Sequence, residues 1–135
     1  MKTVRIGAGA GFQGDRIGPA IDLAERGALD YLVFECLGER TIALAQQARL
    51  ADPNAGFDPM LERRMRAVLP ACVRNGTRIV TNMGAANPVA AAQATRAVAA
   101  KLGLTGLKIA AVTGDDVLDR IGGYVLDETG AAARA

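Results

Sequence analysis

IGAGAGFQGDRIGP, residues 6–19, follows an apolar run and opens onto an amphipathic one. Within it, residues 9–14 (GAGFQG) match the G-x-G-x-x-G pattern of dinucleotide-binding strand–turn–helix units. In those units the third glycine lies in the opening of a helix whose N-terminus holds a pyrophosphate. A helix running from Phe12 through Ile21 would carry Pro19 in its interior. Proline there removes a hydrogen bond and clashes with the preceding turn, at a cost of roughly 3 kcal/mol. Starting the helix at Gly18 puts Pro19 in the first turn, where proline is favoured. The glycines then belong to a long loop between the first strand and the helix. Glu35 follows at about the spacing of a ribose-binding acid. The formal match to a dinucleotide site is therefore good and the mechanical match poor, and a dinucleotide-dependent oxidoreductase stands as an alternative.

Outward from this loop, short apolar runs alternate with helical stretches. Residues 3–8, 30–36, 77–83 and 107–114 read as four strands. The continuous YLVF of the second suggests a strand covered on both faces. Helices are expected over 19–26 and 41–51, from the Asp58-Pro59 start to about Arg74 with Pro70 kinking it, and from Asn87-Pro88 to Gly103. A last short helix is expected from Asp115 or Asp116. This is an α/β chain: a parallel β-sheet of about four strands with right-handed crossover helices. Residues 1–135 form a single domain or the amino-terminal fragment of a longer one, because four strands leave two edges to protect.

At 135 residues, half of them hydrophobic, the chain can build a real core. No apolar run approaches the roughly 18 residues of a membrane span, and the start lacks a signal-peptide pattern, so a cytoplasmic location is expected. Cys36 and Cys72 sit in apolar contexts and read as buried, reduced thiols. The net charge of +2 comes from interspersed signs. Arg63, Arg64 and Arg66 read as a solvated helix face, and with few aromatics for stacking nothing points to nucleic acid. There is no His, Ser or Trp. A Ser-His-Asp triad and a His-ligated metal site are excluded for this chain alone. Acid–base chemistry falls to Asp, Glu, Lys, Tyr or Cys.

In parallel sheets the working loops lie beyond the carboxyl ends of the strands. That rule gathers four loops at one edge. The first supplies Gly9, Gly11 and Gly14 for close backbone approach, with Phe12, Asp15 and Arg16 at its rim. Asp15 can act as a base or cap a turn, and Arg16 can bind an anion or lie exposed. The second supplies Glu39 and Thr41. The third supplies Asn82, Gly84 and Asn87, the last fitting a helix N-cap. The fourth supplies Asp115 and Asp116, adjacent carboxylates suited to an N-cap or, with less support, to magnesium; no metal ligand is assigned.

Taken in order, the segments Gly11-Phe12-Gln13-Gly14-Asp15, Leu37-Gly38-Glu39-Arg40-Thr41, Asn82-Met83-Gly84-Ala85-Ala86-Asn87-Pro88 and Gly114-Asp115-Asp116 resemble the amino-terminal part of the acyclic terpene utilisation family, the AtuA-type proteins. The family commonly has alanine where this chain has Gly38, and a small residue and a glycine where it has Met83 and Ala85. Relatives continue for several hundred residues. The resemblance implies a catabolic protein of citronellol or geraniol degradation that handles an acidic or CoA-linked branched substrate. Asp15, Glu39 and Asp115 would then supply carboxylates, with proton transfer or hydration on a thioester as the reaction class if the protein is catalytic. Asn82 and Arg16 would orient the ligand, and the glycines would shape the backbone. Whether the protein is an enzyme, and which cofactor it would use, stays open. So does a non-catalytic role in which the sheet edge and the alanine-rich helix dock another copy or the remainder of a longer chain.

Overall fold

The computed structural model describes residues 3–117, 120, 124–126 and 132–134. Three parallel strands form the main sheet: β1 (Ile6–Ala10), β2 (Tyr31–Phe34) and β3 (Arg78–Thr81), in the order β1-β2-β3. Tyr31 stands opposite both Ile6 and Arg78, which sets the register across the sheet. Helix α1 (Gly18–Arg26) crosses from β1 to β2, and α2 (Glu39–Ala51) and α3 (Leu61–Asn75) lie between β2 and β3. Helix α4 (Pro88–Lys101) follows β3, and β4 (Tyr124–Leu126) pairs antiparallel with β5 (Ala132–Arg134).

The expected α/β arrangement holds, with three strands in the parallel sheet rather than about four. Residues 107–114 form no strand; they run irregularly and largely exposed past β3. No strand pairs with the outer edge of β3 among the described residues. Residues 115–117 are likewise irregular, and the remainder of the expected last helix lies largely outside the described residues.

Helix ends follow the local chemistry. Pro19 sits in the first turn of α1, so the helix does start downstream of the glycines. Gly76 takes the left-handed conformation that closes α3, with φ 69° and its N–H on the Cys72 and Val73 carbonyls. Asn87 caps α4 by accepting from the Ala90 N–H at 3.2 Å. Helix α3 starts at Leu61, slightly later than expected, because Asp58 closes a turn first: its Oδ1 accepts from the Met60 N–H at 2.7 Å. Pro70 lies inside α3, which continues through it.

Helices α1 and α3 pack side by side against one face of the sheet, and α4 packs on α3. Leu32 and Phe34 of β2 point into them, against Ala20 and Ala24 of α1 and Leu61, Met65, Val68 and Cys72 of α3. Neighbouring strands advancing in one direction with crossovers of one hand place their helices on a single face. The opposite face stays open, with Ile6 66% and Val80 52% exposed. Strand β2 therefore alternates half-buried and buried residues instead of being covered on both sides, which corrects the reading of YLVF. Helix α2 buries no side chain fully and stands apart from this packing. None of the described helices is long and apolar enough to cross a membrane.

Candidate functional site

Three loops meet beyond the carboxyl ends of β1, β2 and β3, and the residues singled out in them divide into two groups. Most are occupied in building the edge itself. The Asp15 carboxylate accepts from the Gly11 N–H at 3.0 Å through Oδ2 and from the Arg16 N–H at 2.8 Å through Oδ1. Those two hydrogen bonds, with the Gly11 contact dominant, hold its pKa below the usual aspartate value. Asp15 thus clamps the glycine loop on itself. It also takes up two N–H groups that a phosphate would need, which weakens the dinucleotide alternative further.

Asn82 bridges the ends of β2 and β3. Its Oδ1 accepts from the Cys36 N–H at 2.8 Å, and its Nδ2 donates to Glu35 Oε1 at 3.0 Å. That bond from Asn82, aided by the Leu37 N–H, lowers the pKa of Glu35. Glu35 is thereby a strut of the edge. Thr41 closes the head of α2, its hydroxyl accepting from the Gly38 N–H and donating to the Gly38 carbonyl at 2.8 Å. Asn87 donates through Nδ2 to the Pro53 and Ala55 carbonyls, at 2.9 and 2.8 Å, which fastens the loop before α3 to the start of α4.

Among the glycines, Gly9 and Gly84 are constrained by packing. A Cβ on Gly9 would lie 2.6 Å from the Phe34 ring, and one on Gly84 would lie 2.9 Å from Pro88 Cα. Gly11 has open space around it, and Gly14 meets only the Phe12 ring, itself 60% exposed. Arg16 and Glu39 are exposed. Asp115 stands farther along, in the wall of a cavity beside β3, and Asp116 pairs with Arg49 at 3.3 Å. Arg49 also donates to the Ala86 carbonyl, so it links the Asp115-Asp116 segment to the third loop.

Two residues that matter here were not marked as site residues. Arg64 is completely buried, not part of a solvated face as expected; only Arg63 and Arg66 are exposed. Its Nη2 donates to the Gln13 and Asp15 carbonyls, both at 2.9 Å, and its guanidinium lies 5.9 Å from the centroid of the Phe34 ring. Arg64 is the interior post on which the glycine loop rests. No spacing rule separates it from its exposed neighbours; only its position on the α3 face toward Met65 and Val68 does. Asp58 starts a turn rather than capping α3. It is 3% exposed, and burial raises its carboxyl pKa against the opposing pull of the Met60 N–H and Arg64.

Two cavities open at this side of the molecule. The smaller, about 430 Å³, lies beyond the carboxyl ends of β2 and β3. Its apolar wall includes Leu37, Leu44, Ala48, Phe57 and Met83; Gln13, Thr41, Asp58 and Asn82 supply the polar groups. The larger, about 930 Å³, runs along the outer edge of β3 between α3, α4 and residues 107–113. Among the described residues no group of three or more Cys, Asp or Glu is arranged to hold a metal ion.

Residues 4–133 match the family described as acyclic terpene utilisation family protein AtuA. The chain belongs to the AtuA family. That match spans all four motif segments, and it places the chain in acyclic terpene utilisation. Neither the comparison with curated proteins nor that with solved structures returned a match. Against the family pattern one departure of this AtuA chain now has a structural meaning: Ala85 takes a left-handed backbone, φ 45°, at the position where glycine is the commoner choice.

Proposed function

We propose that this AtuA chain binds a branched acyl group, as a CoA thioester, with the acyl chain in the 430 Å³ cavity at the carboxyl edge of the sheet. The observation that carries this reading is the cavity's make-up: a mostly apolar wall with a few convergent polar groups, within the usual size range of small-molecule sites. Its position beyond the strand ends agrees with where α/β sheets place their ligands. The larger cavity also reaches Leu37, Asn82 and Gly84 at that end, but most of its wall is α3, α4, β3 and residues 107–113 along the sheet edge.

Charge favours the thioester over the free acid. Asp58 lines the cavity, and Glu35 and Asp15 lie close enough to Cys36 in its wall to act on the thiol, while the buried Arg64 donates to main-chain carbonyls through Nη2 only. A free carboxylate would meet like charges, whereas a thioester carbonyl is neutral. The side chains present are carboxylates, amides and hydroxyls, so proton transfer or hydration at the thioester is the chemistry they support. Asp15 contributes by shaping the loop; Glu39 and Asp115 remain the exposed carboxylates available to a substrate head group.

Isothermal titration of the purified chain with citronellyl-CoA, CoA and citronellic acid tests the reading. Binding of the thioester at least tenfold tighter than either fragment supports it. Equal binding of CoA and the thioester would show that the acyl group is not recognised.

A further inference from the structure

The polar side chains in the wall of the 430 Å³ cavity are Gln13, Thr41, Asp58 and Asn82. The Thr41 hydroxyl gives its hydrogen to the Gly38 carbonyl. Asp58 is 3% exposed, with Oδ1 on the Met60 N–H and Oδ2 sealed inside the protein. Asn82 accepts from the Cys36 N–H and donates to Glu35, which fixes its amide and leaves one hydrogen over. Gln13 differs from all three. Its side-chain amide makes no hydrogen bond among the described residues, so both hydrogens and the oxygen are free. The backbone that carries this amide is held firmly. Arg64 Nη2 donates to the Gln13 and Asp15 carbonyls, both at 2.9 Å. The Asp15 carboxylate ties the Gly11 and Arg16 N–H groups, and the Asp15 N–H donates to the Phe12 carbonyl at 3.2 Å. Gln13 is half-buried between the exposed Phe12 and Gly14. Arg64 is completely buried although its Nε and Nη1 have no hydrogen-bond partner, a costly state for a guanidinium. Its Nη2 is the nitrogen that fixes residues 13 and 15 at the cavity.

We infer that Gln13 is the hydrogen-bond donor of this cavity and that its side-chain amide binds the carbonyl oxygen of the acyl group. A carbonyl oxygen only accepts, so once it leaves water it needs a donor from the wall. Thr41 and Asp58 supply none, and Asn82 has a single hydrogen left on an amide held in place. Gln13 combines an uncommitted amide with an anchored backbone. The amide is neutral, so it satisfies a neutral carbonyl without drawing a free carboxylate to the site. In the segment Gly11-Phe12-Gln13-Gly14-Asp15 the glycines and Asp15 shape the loop, and Gln13 is the side chain that the loop delivers to the cavity wall. The inference rests on reading this cavity as the acyl site and deepens it, since it names the residue that recognises the carbonyl.

Citronellyl-CoA and its thioether analogue, with a methylene in place of the carbonyl, differ by that one acceptor. Methyl citronellate carries the carbonyl without CoA. Each is titrated calorimetrically against the wild-type chain, Gln13→Met and Gln13→Glu. Gln13→Met keeps the length of the side chain and removes the amide. Gln13→Glu keeps its shape and replaces the donor nitrogen by an acceptor oxygen. Both leave the backbone carbonyl that Arg64 holds. In the wild type the thioester is expected to bind about tenfold tighter than the thioether. That preference should fall below about threefold in both variants, and the thioether should bind Gln13→Met as it binds the wild type. Equal binding of thioester and thioether to the wild type, or a preference that survives either variant, overturns the inference while leaving binding of the CoA conjugate standing. If neither CoA compound binds but methyl citronellate does, and Gln13→Met weakens it about tenfold, the role of Gln13 stands and the thioester reading fails. Ester binding that ignores Gln13→Met, or no binding of any of the three, overturns the inference.

Discussion

Asp15 and Ala85 illustrate how single residues carry this edge. Asp15 is stabilised as a carboxylate by two backbone N–H groups, so its folded pKa lies below the ordinary 3.8. The linkage sign follows: the ionised form contributes stability above 3.8, and that contribution is lost as pH falls through the lower folded value. Asp15→Asn keeps one acceptor and loses the charge. The melting-temperature gap between wild type and this variant should be open at neutral pH and close on acidification below 3.8. A gap that widens in acid would contradict the clamp. Ala85 holds a conformation that costs an L-residue roughly 1–2 kcal/mol, partly offset by the lower unfolded-state entropy of alanine. Ala85→Gly is expected to raise the unfolding free energy by about 1 kcal/mol in a denaturant titration. A loss of stability would mean that the methyl group packs usefully in the loop. The motif residues were visible in the sequence as polar or glycine positions. Their occupation by the backbone was not, because a hydrogen bond such as Asn82 to Cys36 joins residues 46 positions apart.

At the scale of elements, the sequence signals that held were local ones. Pro19 and Asn87-Pro88 act within one turn of themselves, and each marks a helix start where it was expected. The signals that failed depended on neighbours. Residues 107–114 have strand-like composition, but a strand exists only by pairing, and they lie across the larger cavity from β3. The YLVF run satisfied a two-sided pattern, yet which faces are covered depends on the direction of the crossovers. The same dependence hid Arg64 and Asp58, whose burial arises from α3 packing over the sheet. Asn87 combines a local role with a distant one, capping α4 and holding the Pro53 and Ala55 carbonyls. Asn87→Ala should therefore cost more than a cap alone, about 2 kcal/mol against about 1. Urea unfolding measures it; a cost under about 0.5 kcal/mol would mean that the loop before α3 holds without the tether.

Across the whole molecule, helices cover one sheet face and leave the other open, and polar loops collect beyond the strand ends. The proposed acyl site is the cavity ringed by Leu37, Leu44, Phe57, Met83 and Asn82. The two cavities have largely separate walls: Leu69, Val73 and Leu107 line only the larger one. Methyl and amide chemical-shift mapping of the labelled chain during titration with citronellyl-CoA therefore locates the acyl group directly. The proposal predicts shifts concentrated at Leu44, Ala48, Phe57 and Met83, which line only the smaller cavity, with Leu69, Val73 and Leu107 unmoved. Shifts confined to Leu69, Val73 and Leu107, or no shifts at saturating thioester, would contradict it.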